Sequence, residues 1–493
     1  MRIDFNSMQD GFGQVTQKEL EELNKAMGTG TPGEAYGNGS FGDMSPIRPQ
    51  SLERTLRIVT AKQEHLSLWR RIEKKGAGST VEEFNVLDSY GSDGDPFIVE
   101  GGRPQEQNSN YVRQTGLVKF AGTTRGVTLP AQLVNTVGIG DAVAQETQNG
   151  TMWLLQQIEK NLFFGDSSKN PLAFDGILAQ VLRHVKGKSF ETQHIIDMRG
   201  KPLTEEILED AATTINDNYG GALLELYLTN QVHKDFSKLF IGPAGRQRIV
   251  DIGSNVRMGQ PVRGYAANSA NIDFISDKFL KPEGAPKKVN QKNAPSAPSK
   301  ATAVVKEDTS SRLEAGTYFY FVSSKGSAGE SAPVATASVA VTAGQKVEIT
   351  IPRVLHDDPK LAAKSYKVYR GYYSDPQRAE FMTEFVDSGA GDNQVLVDNG
   401  DDIPGTEYCF LIDNDADEVL TFKKLADLMR VPLGLVDTTS KFMILLFGML
   451  QVYNPRRIVV FKNVGKLGVN SNRELYDPSY GAESYGTFKP VHA

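Results

Sequence analysis

Apolar residues repeat at two different spacings along this chain, and each spacing predicts a different element. Between Asp141 and Gly165 they recur every three or four residues, with one longer gap at Gly150, which predicts a single long helix. The repeat consists of Val143, Thr147, Leu154, Ile158 and Leu162. Glycine inside a helix costs about 1 kcal/mol relative to alanine, so Gly150 predicts close packing or a bend at that point.

Two apolar runs enclose a long polar connection in residues 79–130. The first predicts a strand and the second its return; they contain Val81, Phe84, Val86 and Leu87, and then Leu117, Val118, Phe120, Val127 and Leu129. A connection this long is unusual inside a compact domain. We therefore predict a projecting two-stranded arm, which is marginally stable alone and needs a neighbouring subunit to lie on.

Mixed helical and strand patterns fill residues 171–290 and resume after Tyr408. In chain order the predicted elements are a helix capped by Thr204, a buried strand (ALLELYL, 222–228), a helix capped by Asn230, helices at 419–430 and 441–453, and a final strand (RIVVF, 457–461). Glu225 within the buried strand is interpreted as a paired or edge residue rather than a catalytic one.

Residues 301–408 have a pattern of their own. About seven short runs rich in β-branched and aromatic residues alternate with turn residues, which is typical of a β-sandwich of immunoglobulin or fibronectin type III size. The Pro- and Lys-rich stretch 281–300 predicts a linker. Because the mixed pattern resumes afterwards, we predict that the sandwich is inserted into one larger fold and held off its core by the linker.

The chain ends are polar. Residues 1–50 are rich in Gly and predict a flexible arm, and the similar residues 465–493 predict a tail. Residues 51–78 predict a helix whose apolar stripe begins at Leu52 and ends near Trp69. The start at Met1 favours an N-terminus without a large cleaved segment.

Composition narrows the classes of protein. The formal charge is 54 − 60 = −6, which excludes a strongly basic nucleic-acid binder. The single Cys409 excludes an intrachain disulfide and a cysteine-based metal cluster. The longest apolar run, Phe442–Leu450, has nine residues, whereas a membrane span needs about 20. With no apolar core of a signal peptide at the N-terminus, we expect a soluble protein without membrane contact.

A search for catalytic and metal motifs finds none that is complete. Gly187–Lys188–Ser189 lacks the earlier glycine of a phosphate-binding loop, and the acidic run that begins at Asp413 lacks the Gly and Glu of a calcium loop. His184 and His194 are interpreted as surface residues rather than metal ligands. A loose basic cluster is interpreted as a solvated or intersubunit face: Arg246, Arg248, Arg257 and Arg263. We therefore predict no enzyme activity and no catalytic, cofactor or metal site.

The order of these elements resembles that of the major capsid protein of tailed bacteriophages. The hairpin resembles the extended loop of that family, the long helix its spine helix, and Phe174–Ile177 the segment that follows. The resemblance is greatest to the capsid proteins of large contractile-tailed phages with an inserted Ig-like domain, where a Pro-rich stretch similar to Asn293–Pro295 leads into the sandwich. The ending FMILLFGMLQVYNPRRIVVFKNVGKL also resembles that of the family.

The resemblance implies an α+β capsid fold with an inserted Ig-like or fibronectin III-like β-sandwich. The expected parts are an N-terminal arm (1–50), an N-terminal helix (51–78), the extended loop (79–130), a peripheral domain with the spine helix (131–182), an axial domain (183–290), the sandwich (291–408), a return to the core (409–464) and a tail (465–493). The sandwich is expected to face outward for decoration, stabilisation or surface adhesion.

The implied function is self-assembly, in the host bacterial cytoplasm, of hexamers and pentamers into the icosahedral shell of a virion. The acidic charge fits a shell that holds double-stranded DNA by confinement, with non-specific contacts only. Portal, scaffold or decoration proteins are possible further partners. The alternatives are a tail tube or sheath protein, and an extracellular enzyme with a fibronectin-like accessory domain.

Charged residues of the hairpin are the candidate intersubunit contacts, because rim charges fix register and steer assembly. They are Asp93, Asp95, Glu100, Arg103, Glu106 and Arg113. Some relatives join subunits covalently through a lysine of the extended loop. Residues 80–118 contain no lysine, so we predict no such bond here.

Overall fold

The computed structural model describes residue 60 and residues 62–466, apart from 92–93, 134–140, 186–193, 219, 222, 240–261, 282, 293, 327–328, 359–360 and 435–437. Residues 130–145 belong to one compact unit, and residues 60–129 and 146–466 to another. The arm predicted for 1–50, the first part of the helix predicted for 51–78 and nearly all of the predicted tail lie outside the described residues.

The described helices are α1 (Ser67–Arg71), α2 (Leu129–Leu133), α3 (Ala142–Phe164), α4 (Ile177–Val185), α5 (Glu205–Asp217) and α6 (Asn230–Leu239). The described strands are β1 (Lys74–Gly76), β2 (Val81–Ser89), β3 (Asn110–Leu117), β4 (Lys119–Thr128), β5 (Ile195–Asp197), β6 (Leu223–Leu228), β7 (Gly264–Ala266), β8 (Asn271–Ser276), β9 (Thr302–Glu307), β10 (Gly316–Lys325), β11 (Val334–Ala335), β12 (Val339–Val341), β13 (Gln345–Pro352), β14 (Ser365–Gly371), β15 (Glu380–Val386), β16 (Asn393–Asp398), β17 (Glu407–Asp413), β18 (Leu420–Pro432), β19 (Thr439–Val452) and β20 (Ile458–Val464).

The predicted long helix is confirmed as α3. The Asp141 side chain accepts a hydrogen bond from the N–H of Val143 at 2.8 Å, as expected of a residue that begins a helix. Further along, α3 packs on a four-stranded sheet with the order β1-β18-β19-β4. A Cβ atom at Gly150 would lie 2.6 Å from Cδ1 of Ile444 in β19, so the close packing predicted at this glycine is also confirmed.

Two segments predicted to be helices are strands. Residues 419–430 and 441–453 correspond to β18 and β19, which pair antiparallel. In β18, register shifts after Lys424 and Ala426 interrupt the alternation of a strand and produce apolar spacings of three and four residues. In β19 both faces carry apolar residues, so the run has no period of two and cannot be distinguished from a buried helix.

The described part of the predicted N-terminal helix is interrupted. Gln63–His65 forms a single 3₁₀ turn, Leu66 is extended with φ −85° and ψ 91°, and α1 then begins at Ser67. A side chain that is distant in sequence explains why α1 begins at this point. Glu159 accepts hydrogen bonds from the backbone N–H groups of Leu68 and Trp69 in the first turn of α1. The apolar spacing therefore reflects burial of residues such as Leu66 rather than one continuous helix.

A six-stranded mixed sheet forms the second part of the body, with the order β5-β20-β17-β6-β8-β7. Pairs β6–β8 and β20–β5 are parallel, and the other pairs are antiparallel. Helices α5 and α6 share its buried core, which includes Leu208, Ile215, Phe236, Leu226 and Leu411. The helices predicted after Thr204 and at Asn230, and the strands predicted at 222–228 and 457–461, are confirmed here.

Residues 302–398 form two antiparallel sheets around one core. The first has the order β11-β10-β14-β15 with β12 also pairing with β10, and the second has the order β16-β13-β9. Both contribute to one buried cluster, in which Tyr320 and Tyr366 of the first sheet meet Val347 and Ile349 of the second. The segment is thus a β-sandwich with the aromatic core expected from sequence, while its assignment as Ig-like stays a prediction.

Candidate functional site: the extended-loop hairpin

The predicted arm is an antiparallel hairpin of β2 and β3 whose base lies next to the end of β19. Val81 pairs with Leu117 at the base of the hairpin. Beside this base the rings of Phe84 and Tyr453 meet edge to face, with centroids 5.1 Å apart. The return strand begins at Asn110, earlier than predicted, and the apolar run after residue 118 is a different strand, β4, which pairs with β19.

One face of the hairpin carries exposed apolar residues. Directly paired residues of an antiparallel ladder point to the same face. Val81 lies opposite Leu117, and Leu87 lies opposite Tyr111. Their exposed fractions range from 39% to 68%, so these two pairs are open to solvent along the length of the hairpin.

Further apolar side chains lie in the connection between the strands. We call Tyr90, Phe97, Ile98 and Val99 the apolar tip; their exposed fractions are 85%, 85%, 54% and 80%. Large side chains exposed together in this way mark an interaction surface. The sequence analysis did not predict the apolar tip, because it selected only the charged residues of the connection as contacts. The apolar run FIV at 97–99 would have indicated the tip.

Two turns shape the apolar tip. The carboxylate of Asp95 accepts the N–H of Phe97 at 3.0 Å, a local side-chain turn typical of Asp. The carbonyl of Val99 then accepts the N–H of Gly102 at 2.8 Å. Gly101, inside this second turn, has φ +81°, a conformation that favours glycine. The aromatic and aliphatic side chains of the tip are thus presented by hydrogen-bonded turns.

The structure describes five of the six predicted contact residues, and Asp93 lies outside the described residues. Arg113 forms an ion pair with Glu83 of its own hairpin, 3.3 Å apart, and both side chains are largely exposed. Within the described part of the chain, the other four are exposed and have no ion-pair partner: Asp95, Glu100, Arg103 and Glu106. That these residues contact a neighbouring subunit stays a prediction.

A second apolar surface, which is only partly exposed, lies on the four-stranded sheet. Because side chains alternate along β19, Phe447 and Leu445 lie on the face opposite Ile444, which packs on α3. The ring of Phe447 meets Phe120 of β4 edge to face at 5.0 Å, and Phe120 is 64% exposed. Leu445 lies over Gly122 of β4. We call Phe120, Leu445 and Phe447 the sheet patch.

Residues that could suggest catalysis have structural partners. Glu225 accepts hydrogen bonds from Arg71 at 2.6 Å, from the side chain of Asn414 at 3.1 Å and from the hydroxyl of Tyr227. This arrangement confirms its interpretation as a paired residue. Gly187–Ser189 and three residues of the basic cluster lie outside the described residues; the fourth, Arg263, is exposed.

Metal-binding geometry is missing from the described ranges between residues 62 and 466, where no group of three His, Cys, Asp or Glu side chains could hold an ion. Asp413 accepts the N–H of Gly221 at 2.7 Å, and Asp415 accepts that of Asp417 at 2.9 Å, so this acidic run forms a turn. His194 is buried with its ring 3.2 Å from a backbone carbonyl, contrary to its interpretation as a surface residue. No helix in the described part of the chain is long and apolar enough to cross a bilayer.

A buried carboxyl pair was not predicted from sequence. Glu159 of α3 accepts the N–H groups of Leu68 at 2.7 Å and Trp69 at 2.8 Å, and neither its side chain nor that of Asp277 is exposed. Burial, together with the neighbouring Asp277 carboxyl, raises the pKa of Glu159 from its usual 4.5 to about 8. Burial also raises the pKa of Asp277. Burial thus favours the neutral form of Glu159, and its two hydrogen bonds fix the start of α1.

Comparison with known proteins gives consistent matches. The model of the SU10 major capsid protein family matches residues 27–304. The putative major capsid protein of Enterococcus phage phiEF24C is 26% identical over 473 residues, which cover 91% of this chain and 97% of that protein. The major capsid protein of Staphylococcus phage K is 26% identical over 457 residues, 87% of this chain and 92% of the relative. Among solved structures, the capsid of a native GTA particle aligns with a TM-score of 0.48 and 8% identity, covering 87% of this chain and all of the other.

Proposed function

Because the chain belongs to the SU10 major capsid protein family, we propose that many copies of it form the icosahedral shell around the double-stranded DNA of a phage. The chain is a major capsid protein and thus a component of the virion. The observation that carries the proposal is the family match, which covers more than half of the 493 residues. The resemblance to phage major capsid proteins, predicted from the order of the elements, is confirmed.

The hairpin supports a specific mode of assembly. Its apolar tip is exposed in the single chain, and burying one large apolar side chain stabilises a complex by about 1.5–3 kcal/mol before the costs of association. We propose that the tip lies on the sheet patch of a neighbouring copy. Such a head-to-tail contact closes into rings when its rotation permits, which fits hexamers and pentamers.

The unpaired charges beside the tip would then set its register. Arg103 is exposed and has no ion-pair partner within the described part of its own chain, whereas Arg113 already pairs with Glu83. Peripheral charges at an interface steer association and exclude wrong alignments more than they add affinity. We therefore assign the direct intersubunit role to Arg103 and the carboxylates Asp95, Glu100 and Glu106, with the undescribed Asp93 retained as a candidate.

The distribution of charge refines the expected relation to DNA. Residues 302–398, which form the sandwich, contain 10 Lys and Arg and 13 Asp and Glu, a net charge of −3, so the remainder has 44 − 47 = −3. Neither part of the chain has an excess of positive charge. Such a chain would make only weak, non-specific contacts with packaged DNA.

We propose that the sandwich is an Ig-like insertion that faces outward for decoration, stabilisation or surface adhesion. Strand β17 begins at Glu407, within the boundaries predicted for the sandwich, so a deletion should spare it. Replacing residues 283–400 with a short flexible linker should leave assembly intact if the sandwich is dispensable for building. Failure of this variant to assemble, with the body folded, would assign the sandwich a role in the shell itself.

The remaining expectations follow from the same role. We propose that the protein has no enzyme activity, that it assembles in the host bacterial cytoplasm, and that portal, scaffold or decoration proteins are its further partners. A tail tube or sheath protein would also oligomerise, but the family match favours the shell. An extracellular enzyme with an accessory domain is the least supported alternative, since the sequence has no complete catalytic motif and the carboxylate of Glu225 has structural partners.

Negative-stain electron microscopy of the full chain expressed in bacteria tests the proposal. Shells are expected; tubes would indicate a tail protein, and dispersed monomers at high concentration would contradict assembly.

The role of the apolar tip is tested by a double variant. Phe97→Ser combined with Val99→Ser should prevent shell formation without changing the melting temperature, because these side chains are exposed in the single chain. Val304→Ser, at a 53% exposed position of the sandwich, is the matched control and should assemble normally. Normal shells from the tip variant would refute the role of the tip.

A further inference from the structure

Two residues at the end of the six-stranded sheet have an unusual backbone conformation. Among the described residues other than glycine, only Arg199, with φ 48°, and Asn463, with φ 55°, have positive φ. Asn tolerates this left-handed region, but Arg rarely adopts it. Such conformations persist where the surrounding contacts determine them, and they often indicate a role.

Arg199 lies in a tight turn at the end of β5. Arg199 and Gly200 have consecutive positive φ values, as in a type I′ turn, and Lys201 donates its N–H to the carbonyl of Met198 at 2.9 Å. Gly, Asn and Asp are the residues preferred at such positions. The presence of Arg at this position is therefore explained by its side chain rather than by the turn.

The side chain of Arg199 reaches the sandwich. Its Nη1 donates to the carbonyl of Gly400, and its Nη2 donates to the carbonyl of Arg312, each at 2.8 Å. Arg312 lies between β9 and β10, whereas Gly400 lies in the connection from β16 to β17. One planar guanidinium thus holds two separate segments at the base of the sandwich, a geometry that lysine cannot reproduce.

Asn463 of β20 holds the same connection from the adjacent strand. Its Nδ2 donates to the carbonyl of Asp401 at 2.9 Å, and its Oδ1 accepts the N–H of Ile403 at 3.0 Å. Asp197 joins the two residues, since its Oδ1 accepts both the N–H of Arg199 at 3.1 Å and the Nδ2 of Asn463 at 2.8 Å.

Within its described residues the linker shows no equivalent attachment, and the contacts found there run along the sandwich itself. Ala332 donates its N–H to the side chain of Asn290 at 2.7 Å, and Gln377 donates to the carbonyl of Pro286 at 3.1 Å. Glu283 forms an ion pair with the buried Lys367. These contacts fix the linker to the sandwich, whereas Arg199 and Asn463 fix the sandwich to the six-stranded sheet.

We infer that Arg199 and Asn463 act together as positioning residues that lock the inserted sandwich in one orientation on the six-stranded sheet. This differs from the expectation that the sandwich is held off the core by its linker. The lock depends on contacts within one chain and does not depend on the proposed shell.

Amide hydrogen exchange of the full-length protein tests whether Arg199 and Asn463 act together. For each substitution, exchange is measured at an amide next to the other residue. In Arg199→Asn, which keeps a residue suited to the left-handed turn, we expect the N–H of Ile403 to exchange about tenfold faster, since one charge-assisted hydrogen bond corresponds to about that factor. In Asn463→Gly we expect the same for the N–H of Arg312. The amides of Cys409 and Leu411 in β17 should be unchanged. Faster exchange throughout β17 would mean that the two residues stabilise the sheet instead, and would overturn the inference.

Orientation is measured directly by the distance between two spin labels. One label replaces Leu355 of the sandwich and the other Leu172 of the body, 70% and 82% exposed, while the buried Cys409 is protected from labelling. Labelled protein is diluted with unlabelled protein so that distances within one chain dominate. We expect a narrow distribution that broadens in Arg199→Asn and Asn463→Gly.

Lys306→Ala is the control for the spin-label experiment, because the Lys306 side chain forms an ion pair with Glu348 inside the sandwich, with the two atoms 2.5 Å apart. Its distance distribution should match that of the unchanged protein, since a surface ion pair contributes little. Unchanged distributions in both Arg199→Asn and Asn463→Gly would overturn the inference, as would equal broadening in Lys306→Ala.

Discussion

The carboxylate of Glu159 accepts the backbone N–H of Leu68 at 2.7 Å, although the two residues are 91 positions apart. The second oxygen of Glu159 accepts the N–H of Trp69, so one buried side chain satisfies two donors at the start of α1. Asp277 lies against the same carboxyl group, and Lys74 is the nearby cation. The segment that leads into the hairpin is thereby attached to α3 through a titratable group.

Stability should fall as the pH rises through the range in which Glu159 titrates. The folded-state pKa of about 8 lies above the usual 4.5, so the folded protein keeps a proton that the unfolded chain releases between these values. The free energy of unfolding should therefore decrease by up to about 1.4 kcal/mol per pH unit across this window. Glu159→Gln should reduce that slope, measured by urea unfolding at pH 5 and pH 7.5. Glu206→Gln, at an exposed position of α5, is the control and should retain it. An unchanged slope in Glu159→Gln would assign the pH dependence to other groups.

The two hairpin arginines should respond differently to charge reversal. Arg113→Glu breaks the ion pair with Glu83, and the exchange Glu83→Arg with Arg113→Glu restores it within the hairpin. Because an exposed pair contributes about 0.2–1 kcal/mol, the single variant should slow assembly several-fold and the exchanged pair should recover it. Light scattering during assembly measures both rates. If the exchanged pair assembles as slowly as the single variant, Arg113 contacts a neighbouring subunit instead.

Arg103 has no partner of this kind in the described part of its chain, so Arg103→Glu should slow assembly. Its melting temperature should be unchanged, because the side chain is exposed. Arg378→Glu, at a position of the sandwich, provides a charge change of the same size away from the hairpin. Assembly of Arg103→Glu at the normal rate would remove Arg103 from the intersubunit contacts.

Helices and strands could be predicted from sequence where the spacing of their apolar residues has a single cause, such as one packed helix face or full burial of a strand. The helix α3 has one packed stripe, and β20 is a short buried strand, so spacing and length identified both. In β18, two register shifts gave a strand the spacing of a helix. The break at Leu66 could not be predicted, because it depends on Glu159, which lies far away in sequence.

The candidate site was predicted in part. The projecting hairpin follows from its long polar connection, but which charges are already paired depends on strand register, which places Arg113 near Glu83. The run FIV at 97–99 indicates the apolar tip, but its exposure depends on the two turns that shape the connection. The contact of Arg199 with Gly400 joins residues 201 positions apart, and no local pattern encodes such a pair.

The hairpin should not supply the lysine of a covalent link between subunits. An isopeptide bond needs a lysine amine, and residues 80–118 contain none. Purified particles should therefore show no ladder of covalently linked subunits on a reducing, denaturing gel. A ladder of higher bands would contradict this prediction, and mass spectrometry of the cross-linked peptides would then identify the residues involved.

Gly150→Ala should destabilise the protein, although alanine is the better helix former by about 1 kcal/mol. The new Cβ atom would lie 2.6 Å from Cδ1 of Ile444 and 3.1 Å from Cγ of Arg125, and Ile444 is fully buried. Overpacking of a core costs about 1–3 kcal/mol, so the net loss in the free energy of unfolding should be about 1 kcal/mol. Gly434→Ala is the matched control, because a Cβ atom there meets nothing within 4 Å and should leave stability unchanged or slightly raised. Thermal unfolding of both variants measures the change in stability. If Gly150→Ala is more stable than Gly434→Ala, α3 can move away from β19, and the close packing at Gly150 does not constrain this helix.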